Sequence, residues 1–220
     1  MKPSFRDLLF NPNTFFLNLI CEKEGLKVPA LILLAGGILS AVYGYYASTL
    51  TVRMMGNLMP GMGTIITISV IAGALIGTFI IWVIWAGVIH VISTGLGGKG
   101  TFGRTLQVIG YGYLPQLAGT ALSMVIALEY VPKVTIPVIS STSDPEVIQE
   151  SVKALMQDPA MHQLTMISSV IAILFLLWSA NIWIFGIKNA RQTTVRNSAI
   201  SVGIPAVIYI IYLSYNLMVV

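Results

Sequence analysis

The chain has 220 residues, 56% of them hydrophobic and only 9% charged, with a formal net charge of +4 and a single cysteine, Cys21. A soluble domain carries about 25% charged residues, so an ordinary aqueous surface is excluded. One cysteine excludes an intrachain disulfide and any paired-thiol redox motif. Between Val28 and Leu128 the only charged side chains are Arg53, Lys99 and Arg104, and His90 is the only histidine there. Such a stretch belongs in a bilayer. The positive charge gathers at the ends of apolar runs, which reads as membrane topology rather than a nucleic-acid surface.

Residues 1–27 form a polar, mixed-charge cytoplasmic tail without a signal-peptide layout, so the first apolar run is expected to serve as its own insertion signal. Within the tail, Phe15, Phe16, Leu19 and Ile20 share one helical face. This predicts an interfacial helix with its aromatic pair at headgroup depth. Five runs then have the ~20-residue length that crosses a ~30 Å hydrocarbon core: about 28–50, 64–93, 105–128, 164–187 and 199–219. Open strands would leave backbone groups unsatisfied in lipid, and no period-2 pattern is present. The expected fold is therefore all-α, a polytopic bundle of five transmembrane helices. The run at 64–93 is read as one helix, because it contains no Pro, Asn or Asp to turn a hairpin. That reading places nine cations (Lys2, Arg6, Lys23, Lys27, Lys99, Arg104, Lys188, Arg191 and Arg196) on one side, against Arg53, Lys133 and Lys153 on the other. The bias predicts a cytoplasmic amino terminus and an outside carboxyl terminus.

The first span carries Gly36, Ser40, Gly44 and Ser48 at four-residue spacing, and the second carries Ser69, Gly73 and Gly77. Such small ridges let helix backbones approach closely in lipid. The third span contains Gly110-Tyr111-Gly112-Tyr113-Leu114-Pro115-Gln116. Pro115 is expected to kink it and to free the carbonyl of Tyr111. In the outer loop, 129–163, Asp144-Pro145-Glu146 is a helix-start signal. It precedes an amphipathic helix with Ile148, Val152, Leu155 and Met156 on one face.

No Asp, Glu, Lys or Arg lies well inside a span, which argues against proton relays and ion pumps. No hydrolase, metal or phosphate-loop motif can be assembled. No cofactor and no metal site is expected, and the chain is read as a non-enzyme. The assumed topology brings His90, Gln107, Tyr111 and Asn181 to one depth in the cytoplasmic third. They are read either as a small polar pocket or as interhelical hydrogen bonds, each worth about 0.6 kcal/mol. Lys99, Arg104, Lys188, Arg191 and Arg196 are read as contacts to anionic headgroups.

Two stretches together, GGKGTFGRTLQVIGYGYLPQ at 97–116 and GIKNARQTT at 186–194, with FNPNTFF at 10–16 and five spans, carry a family resemblance. The chain resembles the Yip domain family, the Ypt/Rab-interacting integral membrane proteins, in its short prokaryotic form. The resemblance covers almost the whole chain and implies its fold and topology. In eukaryotic relatives it implies vesicle trafficking, membrane shaping and recruitment of Rab-type GTPases. Those relatives have a long hydrophilic amino-terminal region. Here the tail has 27 residues and no extended acidic segment, so GTPase binding is not carried over. The expectation is a multi-pass scaffold in the cell membrane, partnered by lipids, another membrane protein or a second copy of itself. A small transporter or channel with its site at the kinked third span is the alternative.

Overall fold

The structure, a computed structural model, describes residues 4–55, 62–137, 139 and 145–219. Among them the regular elements are helical. Two short helices, α1 (Phe5–Phe10) and α2 (Pro12–Leu19), precede α3 (Lys27–Met55) and α4 (Met62–Gly95). The third span is two helices, α5 (Phe102–Tyr111) and α6 (Leu114–Tyr130), followed by a single 3₁₀ turn, Val131–Lys133. Then come α7 (Pro145–Met156), α8 (Pro159–Ala190) and α9 (Val195–Val219). Five of the described segments are long and apolar enough to cross a membrane: α3, α4, α5–α6 together, α8 and α9.

Local chemistry explains where the elements start and stop. The continuous apolar run without a turn residue makes α4 one helix of 34 residues. At the helical rise that is about 50 Å, so it tilts in, or projects beyond, a ~30 Å core. The Thr101 hydroxyl caps α5 by accepting the Arg104 N–H at 3.1 Å. Asp158 caps α8: one carboxylate oxygen accepts the Ala160 and Met161 N–H groups at 2.9 and 3.1 Å, with Pro159 at the first helical position. The other oxygen accepts the Thr135 N–H at 3.1 Å, tying the preceding loop to the start of α8.

α3 packs on α4 and α6, while α8 packs on α6, α9 and the tail helix α2. Buried apolar side chains form two clusters. One, at the end of the bundle carrying the amino-terminal tail, joins Leu8, Phe15 and Phe16 to Trp82, Ile109, Tyr111, Trp183 and Ile187. The other, at the far end, joins Leu50 and Met54 to Ala127, Val131, Leu155 and Leu164.

Two amphipathic elements differ from expectation. Phe15, Phe16 and Leu19 are almost fully buried, with the two rings 5.1 Å apart edge to face and Phe15 5.2 Å from the Tyr111 ring. The face expected among headgroups is covered by protein. The reason is Gly186 on α8, where an added Cβ would sit 2.3 Å from Val108 and 3.0 Å from the Phe16 ring. The bare backbone leaves a socket there, and filling it removes each side chain from water at about 1.5–3 kcal/mol. In α7 the buried face is rotated: Ser151 and Leu155 are buried and Val147 and Ile148 pack on the far cluster, whereas Val152 and Met156 are each 38% exposed. Asp144, the expected start signal, lies outside the described residues.

The small ridge on α3 faces protein. A Cβ at Gly36 would stand 3.3 Å from the Tyr113 ring and one at Gly44 2.8 Å from Val70, and Ser48 is buried. The α4 ridge does not: Gly73 and Gly77 have nothing within 4 Å of an added Cβ. Gly44→Leu should therefore overpack the α3–α4 contact at a cost of about 1–3 kcal/mol, measured by thermal unfolding in detergent. Gly73→Leu should stay within about 0.5 kcal/mol of the parent, as surface changes generally do.

Candidate functional site

The third span breaks at Gly112-Tyr113, and the break has a defined chemistry. Pro115 sits in the first turn of α6, where its missing N–H costs nothing. Ahead of it, the Tyr113 N–H turns back to Gly110 at 3.3 Å in a 3₁₀ contact, which deprives the Ile109 carbonyl of its helical donor. The Trp183 indole N–H donates to that carbonyl at 2.9 Å, and the Trp82 indole N–H donates to the Leu106 carbonyl one turn earlier, also at 2.9 Å. The side-chain-held carbonyl at the break is thus Ile109's, not the Tyr111 carbonyl expected from sequence. The two glycines admit the indoles. A Cβ on Gly112 would lie 2.2 Å from Trp183, and one on Gly110 2.6 Å from Pro29 and 3.2 Å from the Trp82 nitrogen. Neither tryptophan was singled out in the sequence, although for Trp82 an indole in mid-span, away from the interfacial belts where Trp collects, was the available signal.

The residues expected to share a polar pocket do not converge. His90 Nδ1 pairs with the Thr105 hydroxyl at 2.9 Å, and its ring stands edge to face with Phe102. Gln107 is buried, accepts from Arg104 at 2.8 Å and donates to the Gly25 carbonyl at 2.9 Å. Tyr111 packs against Phe15. Asn181 is exposed and points away from the bundle. Its neighbours Ile182 and Trp183 are the ones turned inward, because each step along a helix rotates the side chain by about 100°. Depth alone placed Asn181 with the others; azimuth separates it.

The expected lipid-binding cations divide in the same way. Arg191 is only 2% exposed. Its guanidinium donates to the Ser93 hydroxyl at 3.1 Å, the Thr94 hydroxyl at 2.5 Å, the Gly98 carbonyl at 3.1 Å and the Gly100 carbonyl. The Arg191 carbonyl in turn accepts the Lys99 N–H at 2.7 Å. The glycine-rich loop at 95–101 therefore wraps a cation, and its glycines serve that wrap. Gly97 and Gly100 have φ of +84° and +111°, and a Cβ on Gly98 or Gly100 would collide with the Ser93 or Ala190 carbonyl. Burial pulls the Arg191 pKa below the ordinary guanidinium value, and its partners are neutral oxygens. Arg191 cannot also contact lipid.

Arg104 is half-buried and holds the tail turn, donating to the Leu19 carbonyl at 3.3 Å and the Glu22 carbonyl at 2.9 Å. The Thr101 hydroxyl donates to Glu24 at 2.6 Å beside it. Lys188 donates to the Asn13 side chain at 2.8 Å. Lys99 and Arg196 remain exposed, as do Lys23 and Lys27 in the tail turn.

Between the two buried clusters lie two cavities of about 440 and 600 Å³. Both are bordered by Ser40, Gln116 and Tyr209, and among the described residues no charged side chain lines either one. Gln116, one residue beyond the proline, was not among the expected site residues.

Five apolar helices with a tail folded into one end define an all-α, multi-pass membrane protein. The chain belongs to the Yip1 domain family, whose match spans residues 6–216. An uncharacterized protein of Methanocaldococcus jannaschii is 33% identical over 121 residues, covering 55% of this chain and 86% of that protein. No solved structure matches.

Two substitutions test this geometry. Arg191→Gln should unclasp the loop, lower stability by about 1–3 kcal/mol through the carbonyls left unpaired, and speed tryptic cleavage after Lys99. Gly112→Ala should cost a similar amount through overpacking, about 1–3 kcal/mol, and should cost much less when both the reference and the variant carry Trp183→Leu.

Proposed function

We propose that the chain is a non-enzymatic scaffold of the cell membrane whose tail-bearing end faces the cytoplasm and binds anionic lipid headgroups or the membrane-proximal face of a protein partner. The observation that carries this reading is the division of cations at that end. Arg191, Arg104 and Lys188 hold the loop and tail together, and Lys99, Arg196, Lys23 and Lys27 stand exposed around the result. The Asn197 side chain donates to the Leu96 carbonyl at 3.0 Å, so Arg196 and Lys99 belong to one stapled surface. A platform already rigid loses little conformational entropy when it binds. Each exposed cation near an anionic leaflet contributes about 1 kcal/mol.

The alternative is a transporter with its site at the broken third span. The cavity bordered by Tyr113 and Gln116 favours it. A lining without charge restricts such cargo to neutral molecules.

Native mass spectrometry of the detergent-extracted protein should show anionic phospholipid retained over zwitterionic phospholipid. Lys99→Gln with Arg196→Gln should reduce that preference about tenfold or more. Equal retention of the two lipid classes by the parent would rule the headgroup role out. In a Cys21→Ser background, Lys99→Cys should be modified by a membrane-impermeant thiol reagent only from the cytoplasm, and Glu150→Cys only from outside. Modification of both from one side would overturn the five-span orientation.

A further inference from the structure

The two central cavities form one crevice. They meet at Ser40, Gln116 and Tyr209, and their walls come from α3, α4, α6, α8 and α9. α4 and α9 are joined at the tail end by Asn197 and Leu96 and halfway along by the Trp85 and Tyr209 rings, 6.2 Å apart. Ile81 and Tyr209 belong both to the lining and to the outer surface, being 45% and 41% exposed. The crevice therefore opens sideways, between α4 and α9, where hydrocarbon surrounds the bundle. Gly73 and Gly77 border this opening, and nothing lies within 4 Å of a Cβ on either one. The bare face of α4 keeps the mouth wide.

At the floor lies Gln116, half-buried, with a side-chain amide that makes no hydrogen bond to any described residue. It stands near the middle of the Phe102–Lys133 span. A primary amide offers two donors and an acceptor, and leaving them unpaired in a low-dielectric setting is costly. The Trp82 and Trp183 indole N–H groups nearby are already used by the third-span backbone. Each cavity falls in the ~300–1,000 Å³ range of small-molecule sites.

We propose that this crevice binds a neutral single-chain lipid bearing one hydroxyl or carbonyl group, with that group on the Gln116 amide and its hydrocarbon chain leaving between α4 and α9. The absence of charge among the described lining residues selects against phosphate or carboxylate heads, which would enter without a counter-charge. The site is separate from the exposed cations at the tail end and does not depend on the scaffold reading.

Three of the four tryptophans, Trp82, Trp85 and Trp183, line the crevice, and Trp178 lies elsewhere. With Trp178→Phe as the parent, reconstituted in phosphatidylcholine vesicles, dibrominated stearyl alcohol should quench the remaining fluorescence saturably. Dibrominated stearic acid, held ionised at alkaline pH, should need an about tenfold higher mole fraction for half-quenching, the distinction carried by charge and one hydrogen bond. Gln116→Leu should weaken the alcohol about fivefold, the loss of one such bond, and Gln116→Asn should restore part of it. Gly77→Leu should block both probes without lowering thermal stability. Lys99→Gln with Arg196→Gln should leave quenching unchanged. Equal quenching by alcohol and acid, or quenching indifferent to Gln116, would mean that bilayer lipid fills the crevice unselectively and would overturn the proposal. Absence of saturable quenching in the parent would overturn it as well. If Gln116→Leu fails to fold, the alcohol–acid comparison in the parent decides alone.

Discussion

A transmembrane helix that breaks in mid-span must find a donor for each carbonyl it releases, because hydrocarbon offers none. Here the donor is the Trp183 indole on α8, reaching the Ile109 carbonyl at 2.9 Å. Much follows from that bond. It requires α8 to lie against the third span closely enough that only glycine fits at 112. It allows α5 to pack on α4 as well as on α3 and α8, while α6 packs on α3 and α8. It also sets Tyr113 and Gln116 along the crevice, beside Ile109 at the edge of the packed core. The break and the cavity are one feature.

At the tail-bearing end the organising constraint is cationic. Arg191 and Arg104 direct several N–H donors at backbone carbonyls of loop and tail. A guanidinium suits this task because its planar donors can serve separate segments at once. The glycine-rich loop, which superficially suggests a phosphate cradle, instead encloses the protein's own cation. The tail is held by Arg104 through its carbonyls, by Lys188 at the Asn13 side chain, and by Phe15 and Phe16 through the socket at Gly186. The cations left over stand on a surface that is already ordered.

The molecule therefore has two regions of different chemistry. One is a polar, positively charged and internally stapled end, suited to charged surfaces. The other is a crevice whose described lining residues carry no charge. The two features lie at different depths of one Yip-type bundle, the stapled end beside the tail and the crevice between the two buried clusters.

Apolar run length and the lack of turn residues in 64–93 determined the five spans, because both depend on neighbours along the chain. The glycine spacing on α3 likewise marked a contact face. What sequence could not supply was the rotation of each helix about its axis. His90, Gln107, Tyr111 and Asn181 share a depth, yet Asn181 faces outward, since one residue of rotation, about 100°, separates core from surface. The same applies to Arg191, whose charge marked it for the surface until Ser93, Thr94 and the 98–100 carbonyls, nearly a hundred positions away in the chain, closed around it. Composition and periodicity determined that this chain crosses a membrane and where its helices run. Only tertiary structure decided which polar groups are consumed by packing and which, like Gln116, are left free, because hydrogen-bond partners in a bundle come from helices distant in sequence.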